Sequence, residues 1–243
     1  MALEKLGVDV SYGWERREHI LNEDFEMLTS EQKRMRTKPF KKEKIGMIKT
    51  IPSFFCMNSS EFRIGYTMVE NTKIGERWVS WCNEMDAMFV PSKFLVSVFQ
   101  DCGVTKPIKV VKQGIDSDKF PYFNRVKKDK FIFGTIGYMD DRKNWQDLVT
   151  AFASEFDPDE PVELWIKNSN TYFVHSLYKD SRIKVINRLY TFEEIQRLYL
   201  YFDCYVCPSH AEGSSLTPRE AMASGLPTLL TNWSGMTEIC DPK

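Results

Sequence analysis

At 243 residues the chain has room for one large domain or two small ones, and 42% hydrophobic with 14% aromatic residues is ample for a buried core. A formal net charge of −1 gives no general attraction to nucleic acid or anionic membranes, and no apolar run approaches the ~20 residues needed to cross a bilayer. The opening MALEKLGVDV lacks a signal-peptide layout, and six scattered cysteines without a disulfide framework point to reduced thiols in the cytoplasm.

In chain order, Ala2–Gly7 reads as the last turns of a helix closed by Gly7, leading into a strand at Val8–Tyr12. A nucleotide-type α/β domain would place a strand and a Gly-rich turn ahead of that helix. The other end stops as abruptly after Glu238-Ile239, so the chain reads as a fragment or a reduced relative, trimmed at both ends. Residues 31–44 carry seven basic side chains in fourteen. That is a solvated surface first, with a weak membrane-surface contact as the functional alternative.

From residue 44 onward strands and helices alternate. Lys44–Ile51 and Arg63–Val69 are β-rich; Ile74–Met85 repeats apolar residues at helical spacing, so its tryptophans belong to a core face. A strand at Asp86–Val90 precedes a helix from Ser92 to Phe99, and Lys106–Ile115 opens the second domain. Asp116-Ser117-Asp118 and Asp157-Pro158-Asp159 spell Asp-x-Asp, but neither closes a buried strand in a nucleotide-binding layout, which argues against a metal site. A buried strand at Phe131–Met139, the loop Asp140–Asn144 and an amphipathic helix at Trp145–Phe156 follow. Strands are expected at Val162–Ile166 and Arg182–Ile186, and Thr191 with Glu194 forms a capping box for a helix over Phe192–Tyr201. The alternation implies parallel sheets with right-handed crossovers.

The most informative stretch is Cys204–Leu230, CYVCPSHAEGSSLTPREAMASGLPTLL. It reads as strand, small-residue loop, short helix and strand, with Thr217 as N-cap, Pro218 at the first helical position and Glu220 completing a capping box. A loop feeding a helix N-terminus favours anions. The flanking acids Glu212 and Glu220 suit a ligand bearing both phosphates and hydroxyls, such as a nucleotide sugar. Cys204 and Cys207 fall on opposite sides of the strand, which does not suit a redox or metal pair.

This stretch resembles the Glu-x7-Glu segment of retaining glycosyltransferases of family 4, within glycosyl transferases group 1. Pro208, Ser209, Glu212, Gly213, Glu220, Ala221, Met222, Ala223, Gly225 and Pro227 all match it. Gln113-Gly114-Ile115-Asp116 resembles the family's inter-domain turn, and Gly137, Lys143 and Asn144 fit its second phosphate-binding segment. The family's arginine falls on Tyr138, with Arg142 as the substitute cation. The resemblance implies an α/β, GT-B-like fold of two Rossmann-like domains with parallel sheets and a cleft between them, placed at residues 1–104 (acceptor side, incomplete) and 105–243 (nucleotide-sugar side). It also implies a metal-independent retaining transfer from a UDP- or GDP-sugar, with no other cofactor, to a glycan, lipid-linked or protein acceptor. On that reading the amides of Ser214, Ser215, Leu216 and Thr217 after Gly213 cradle the diphosphate, and Lys143 pairs with it. Glu220 takes the ribose, Glu212 the transferred sugar, and Glu70 or Asn71 stands near the anomeric carbon. His19 and His175 match no family position, and His210 lies on the donor side. A sugar-nucleotide epimerase of the same architecture and a degenerate nucleotide-binding fragment are the alternatives. The protein is expected in the cytoplasm, with peripheral membrane contact left open, and with no nucleic-acid partner.

Overall fold

The computed structural model describes Ser30, residues 44–169 and residues 180–240. The expected strand at Val8–Tyr12, the basic stretch before Lys44, His19 and His175 lie outside the described residues.

Four strands, β1 (Ile45–Lys49), β2 (Phe62–Tyr66), β3 (Ala87–Val90) and β4 (Ile108–Val110), form a parallel sheet in that order. A 3₁₀ turn at Pro52–Met57 joins β1 to β2, helix α1 (Glu76–Asn83) joins β2 to β3, and α2 (Lys93–Asp101) joins β3 to β4. Sequence spacing assigns the Ile108–Val110 run to the opening of the second domain. Instead Met88, Phe89 and Val90 of β3 pair with Ile108, Lys109 and Val110, so this run completes the first sheet and the boundary at 104/105 falls too early. Three residues of alternating apolar character carry no information about which sheet edge they join.

One face of this sheet is packed: Phe55, Cys82, Met85, Met88, Leu95, Val98 and Phe99 form its core. The ladder puts Ile45 opposite Phe62 and Met47 opposite Ile64 on the other face. There Ile45 is 65% exposed and Met47 52%.

The second sheet is also wholly parallel. Its strands are β5 (Phe131–Gly137), β6 (Val162–Asn168), β7 (Ile183–Ile186), β8 (Cys204–Cys207) and β9 (Thr228–Leu230), ordered β7-β6-β5-β8-β9. Helices α3 (Trp145–Glu155), α4 (Phe192–Tyr201) and α5 (Thr217–Ala223) make the connections. Both faces are buried. Ile132, Ile136, Tyr205 and Cys207 pack against Leu198, Tyr199 and Phe202 of the α4 end and Ala221 of α5, and Leu164 and Ile166 pack against Val149 and Phe152 of α3. The near-continuous burial of β6 is what a parallel strand sandwiched between helix layers requires. Thr191 and Glu194 form the expected reciprocal capping box on α4. The strand order reverses between β5 and β8, and ligands of such sheets bind beyond the carboxyl ends of the strands at that switch point.

Candidate active site

The loops after β5 and β8 meet there. After β5, Asp140 accepts from the Lys143 amide (3.1 Å), and Asn144 closes the Asp141–Lys143 turn with φ 52°. Asparagine is among the few residues that adopt this left-handed conformation readily. The turn sends both basic side chains toward the β8 loop. Lys143 Nζ lies 2.5 Å and Arg142 Nη1 2.9 Å from the same oxygen, Glu212 Oε1. Arg142 also donates to the Ala211 carbonyl (3.1 Å), and its own carbonyl accepts from the His210 amide (2.9 Å). The His210 residue is itself exposed.

Glu212 is only 5% exposed. Its amide donates to Ser234 Oγ (2.9 Å) and its carbonyl accepts from the Gly235 amide (3.0 Å). The fit is close enough that a Cβ on Gly235 would come within 2.4 Å of the Gly213 carbonyl oxygen. Two cations on one carboxylate leave a positive charge in excess. Lysine and arginine keep further N–H donors after these contacts, so the cluster can take a second anion.

The loop that continues from Glu212 is built for close approach. Gly213 faces the first sheet, where a Cβ would sit 2.9 Å from the Val69 carbonyl oxygen. Ser92 Oγ donates to the Gly213 carbonyl (2.8 Å) across that junction. Ser214 is 1% exposed and its hydroxyl has no hydrogen-bond partner among the described residues, an unusual state for a buried polar group. Ser215 turns the chain at φ 46°, Leu216 is exposed, and Arg219 Nε donates back to the Ser214 carbonyl (3.3 Å).

The capping box read at Thr217 is not formed. The position before the helix is Leu216, with helical dihedrals and no side-chain cap, and Thr217 is the first helical residue. Glu220 turns inward instead, and its Oε2 accepts from the Tyr199 hydroxyl at 2.7 Å. Burial raises its pKa, and the Tyr199 hydrogen bond opposes that shift. Burial likewise pushes the Tyr199 phenol well above its ordinary value. The buried Tyr199 hydroxyl thus has two acceptors on α5, Glu220 Oε2 and the Thr217 carbonyl (3.2 Å). With α5 only seven residues long, the positive charge of the site resides chiefly in Lys143 and Arg142.

Tyr138, at the end of β5, is 51% exposed and brings no cation; Arg142 in the following turn does. Glu70 is half-buried and directly follows Val69, whose carbonyl abuts Gly213. Asp116 and Asp118 share an exposed turn, where Asp116 Oδ1 accepts from the Asp118 amide (3.2 Å). No group of three His, Cys, Asp or Glu side chains suited to a metal ion occurs among the described residues.

The profile of the glycosyl transferases group 1 family matches residues 116–243, a little over half of the chain and all of this site's β5 and β8 loops. The chain belongs to that family. Among curated proteins it is 22% identical to uncharacterized protein 356 of Sulfolobus islandicus rod-shaped virus 1, over 74% of this chain and 54% of that one. Among solved structures it is similar to sucrose-phosphate synthase of Thermosynechococcus elongatus (TM-score 0.62, 15% identity, 80% of this chain and 57% of that one). It is also similar to Anabaena HepE, solved in complex with UDP and glucose (TM-score 0.62, 15% identity, 74% and 56%), and to TarM (TM-score 0.64, 16% identity, 84% and 44%). The fold of this group 1 glycosyl transferase is therefore GT-B-like, two parallel α/β sheets with their loops facing one another. The chain spans roughly half the length of the relatives it matches.

Sequence reasoning passed over Ser92, Ser234, Arg219 and Glu238. Their partners in the site lie up to 145 residues away, and only the backbone geometry reveals them.

Proposed function

We propose that this group 1 glycosyl transferase is a retaining, family 4 type enzyme that moves a sugar from a nucleoside-diphosphate sugar to a glycan, lipid-linked or protein acceptor without a metal ion. The observation that carries the reading is the convergence of Arg142 and Lys143 on the buried Glu212, beside a loop whose Ser214 hydroxyl is buried without a partner. A diphosphate bound there meets two cations, Arg142 standing in for the arginine replaced by Tyr138, together with the Ser214 hydroxyl and the amides of Ser214–Thr217. Charge grows on the diphosphate as the sugar leaves, so the same groups bind the transition state more strongly than the ground state. Glu220 keeps Oε1 for the ribose hydroxyls while Oε2 holds Tyr199. On this reading Glu212 accepts from the transferred sugar, and Glu70 stands near the anomeric carbon.

The test is a transfer assay on the full chain with a panel of UDP- and GDP-sugars and generic acceptors, reading product anomer by NMR with and without EDTA. Retained configuration and EDTA-insensitive turnover are expected. Inverted product would remove the retaining mechanism, and loss of turnover in EDTA would remove metal independence. Release of an epimerised sugar with no transfer would favour the epimerase.

A further inference from the structure

Helix α2 begins at Lys93, and Ser92 is the residue whose hydroxyl would ordinarily cap it. It does not. Ser92 Oγ is turned away to the Gly213 carbonyl, 121 residues along the chain. The two first amides of α2 are taken instead by a carboxylate from the other sheet: Glu238 Oε1 accepts from Lys93 N at 2.5 Å and from Phe94 N at 3.2 Å. An anion at this end of a nine-residue helix is favourably placed. Trp233, in the same segment as Glu238, packs edge-on against the Phe94 ring with centroids 6.0 Å apart.

The second oxygen of Glu238 is buried and has no hydrogen-bond partner among the described residues. Its charged neighbour is Arg219, a half-buried guanidinium whose pKa burial lowers and Glu238 raises. Arg219 in turn holds the Ser214 carbonyl. Glu238 also sits in the Ser234–Glu238 turn whose first residues, Ser234 and Gly235, fix the Glu212 backbone from above and below.

We propose that Glu238 is a positioning residue that ties the first sheet to the Glu212–Thr217 loop: one carboxylate oxygen clasps α2, and the turn that carries Glu238 holds the Glu212 backbone through Ser234 and Gly235. Closure of the two sheets and the shape of the loop are then one event. Ser92–Gly213 forms the second point of the clasp, and Gly213 is the point of contact because no side chain fits against Val69. Naming the loop a donor loop rests on the function proposed above; the coupling itself does not.

The test is amide hydrogen exchange, resolved by residue with NMR, on the full chain and its Glu238→Ala, Glu238→Gln and Ser92→Ala variants. Glu238→Ala is expected to speed exchange about tenfold at Lys93, Phe94 and the Glu212 amide, the equivalent of losing one hydrogen bond to a charged group. The amides of β5 and β6 should be unchanged. Glu238→Gln keeps an acceptor oxygen for α2, so protection should return at Lys93, Phe94 and Glu212 together. Ser92→Ala should loosen Glu212 without touching β6. An unchanged Glu212 amide in Glu238→Ala would reduce Glu238 to a local helix cap and overturn the coupling. So would uniform acceleration through β5 and β6 in both Glu238 variants, which would mark a general stability effect. Calorimetry with UDP and GDP on the same samples separates the two claims: failure of the unaltered chain to bind either would sink the nucleotide reading and leave the exchange result standing.

Discussion

The two sheets are built from the same parallel βαβ logic and differ in how they are covered. The second has helices on both faces, and β6 is buried at every position but Trp165. Among the described residues the first has its buried cluster on the α1/α2 face, while Ile45, Met47 and Phe62 stay exposed on the other. An all-parallel sheet ordinarily needs cover on both faces, so stability should be concentrated in the second sheet, with the first held partly through its contacts to the second. The junction supports that division. Ser92, Lys93 and Phe94 all find partners in the β8 and Ser234–Glu238 loops.

Two matched pairs of substitutions probe this contrast. The largest effect is expected from matched truncations: Leu164→Ala, fully buried in the second sheet, should cost about 2–5 kcal/mol in denaturant unfolding. Met47→Ala on the open face should cost less than about 0.5 kcal/mol. Equal costs would erase the distinction. Next, Gly235→Ala drives a Cβ into the Gly213 and Glu212 carbonyls and should lose about 3 kcal/mol. Gly114→Ala, with nothing within 4 Å of the added carbon, should be near neutral by the same measurement.

The smallest effect concerns pH. Burial alone would raise the pKa of Glu163, but hydrogen bonds from Lys130, Lys184 and the Trp165 indole outweigh it and bring it down to about 2. A depressed carboxylate stabilises the fold above its ordinary pKa of 4.5 and loses that contribution as pH falls toward 2. Glu163→Gln should therefore flatten the acid limb of the stability profile between those values. An unchanged limb would assign the acid sensitivity elsewhere.

Much of the second sheet was legible in the sequence because its signals are local. The Thr191/Glu194 capping box, the buried run of β5 and the Glu212–Glu220 spacing are all set by residues within a few positions of one another. Where a distant partner competes, local reading fails. Thr217 and Glu220 look like a capping box until Tyr199 claims the carboxylate. Ser92 reads as the first residue of a helix, whereas its hydroxyl is drawn away to the distant Gly213 carbonyl. The Ile108–Val110 run was assigned to the wrong sheet because three residues fix a strand but not its neighbour. Within the site, Lys143, Arg142 and Glu212 converge as one cluster, whereas the sequence reading gave the cations and the acid to different parts of the ligand.

The central claim is that this cluster and the loop beside it form a nucleoside-diphosphate site. Its most direct test is titration calorimetry of the full chain with UDP and GDP, repeated on Lys143→Ala. The account expects one site for at least one of the two nucleotides and a loss of about tenfold or more in affinity when Lys143 is removed, as for a charge-assisted contact. Binding of neither nucleotide, or binding indifferent to Lys143, would contradict it.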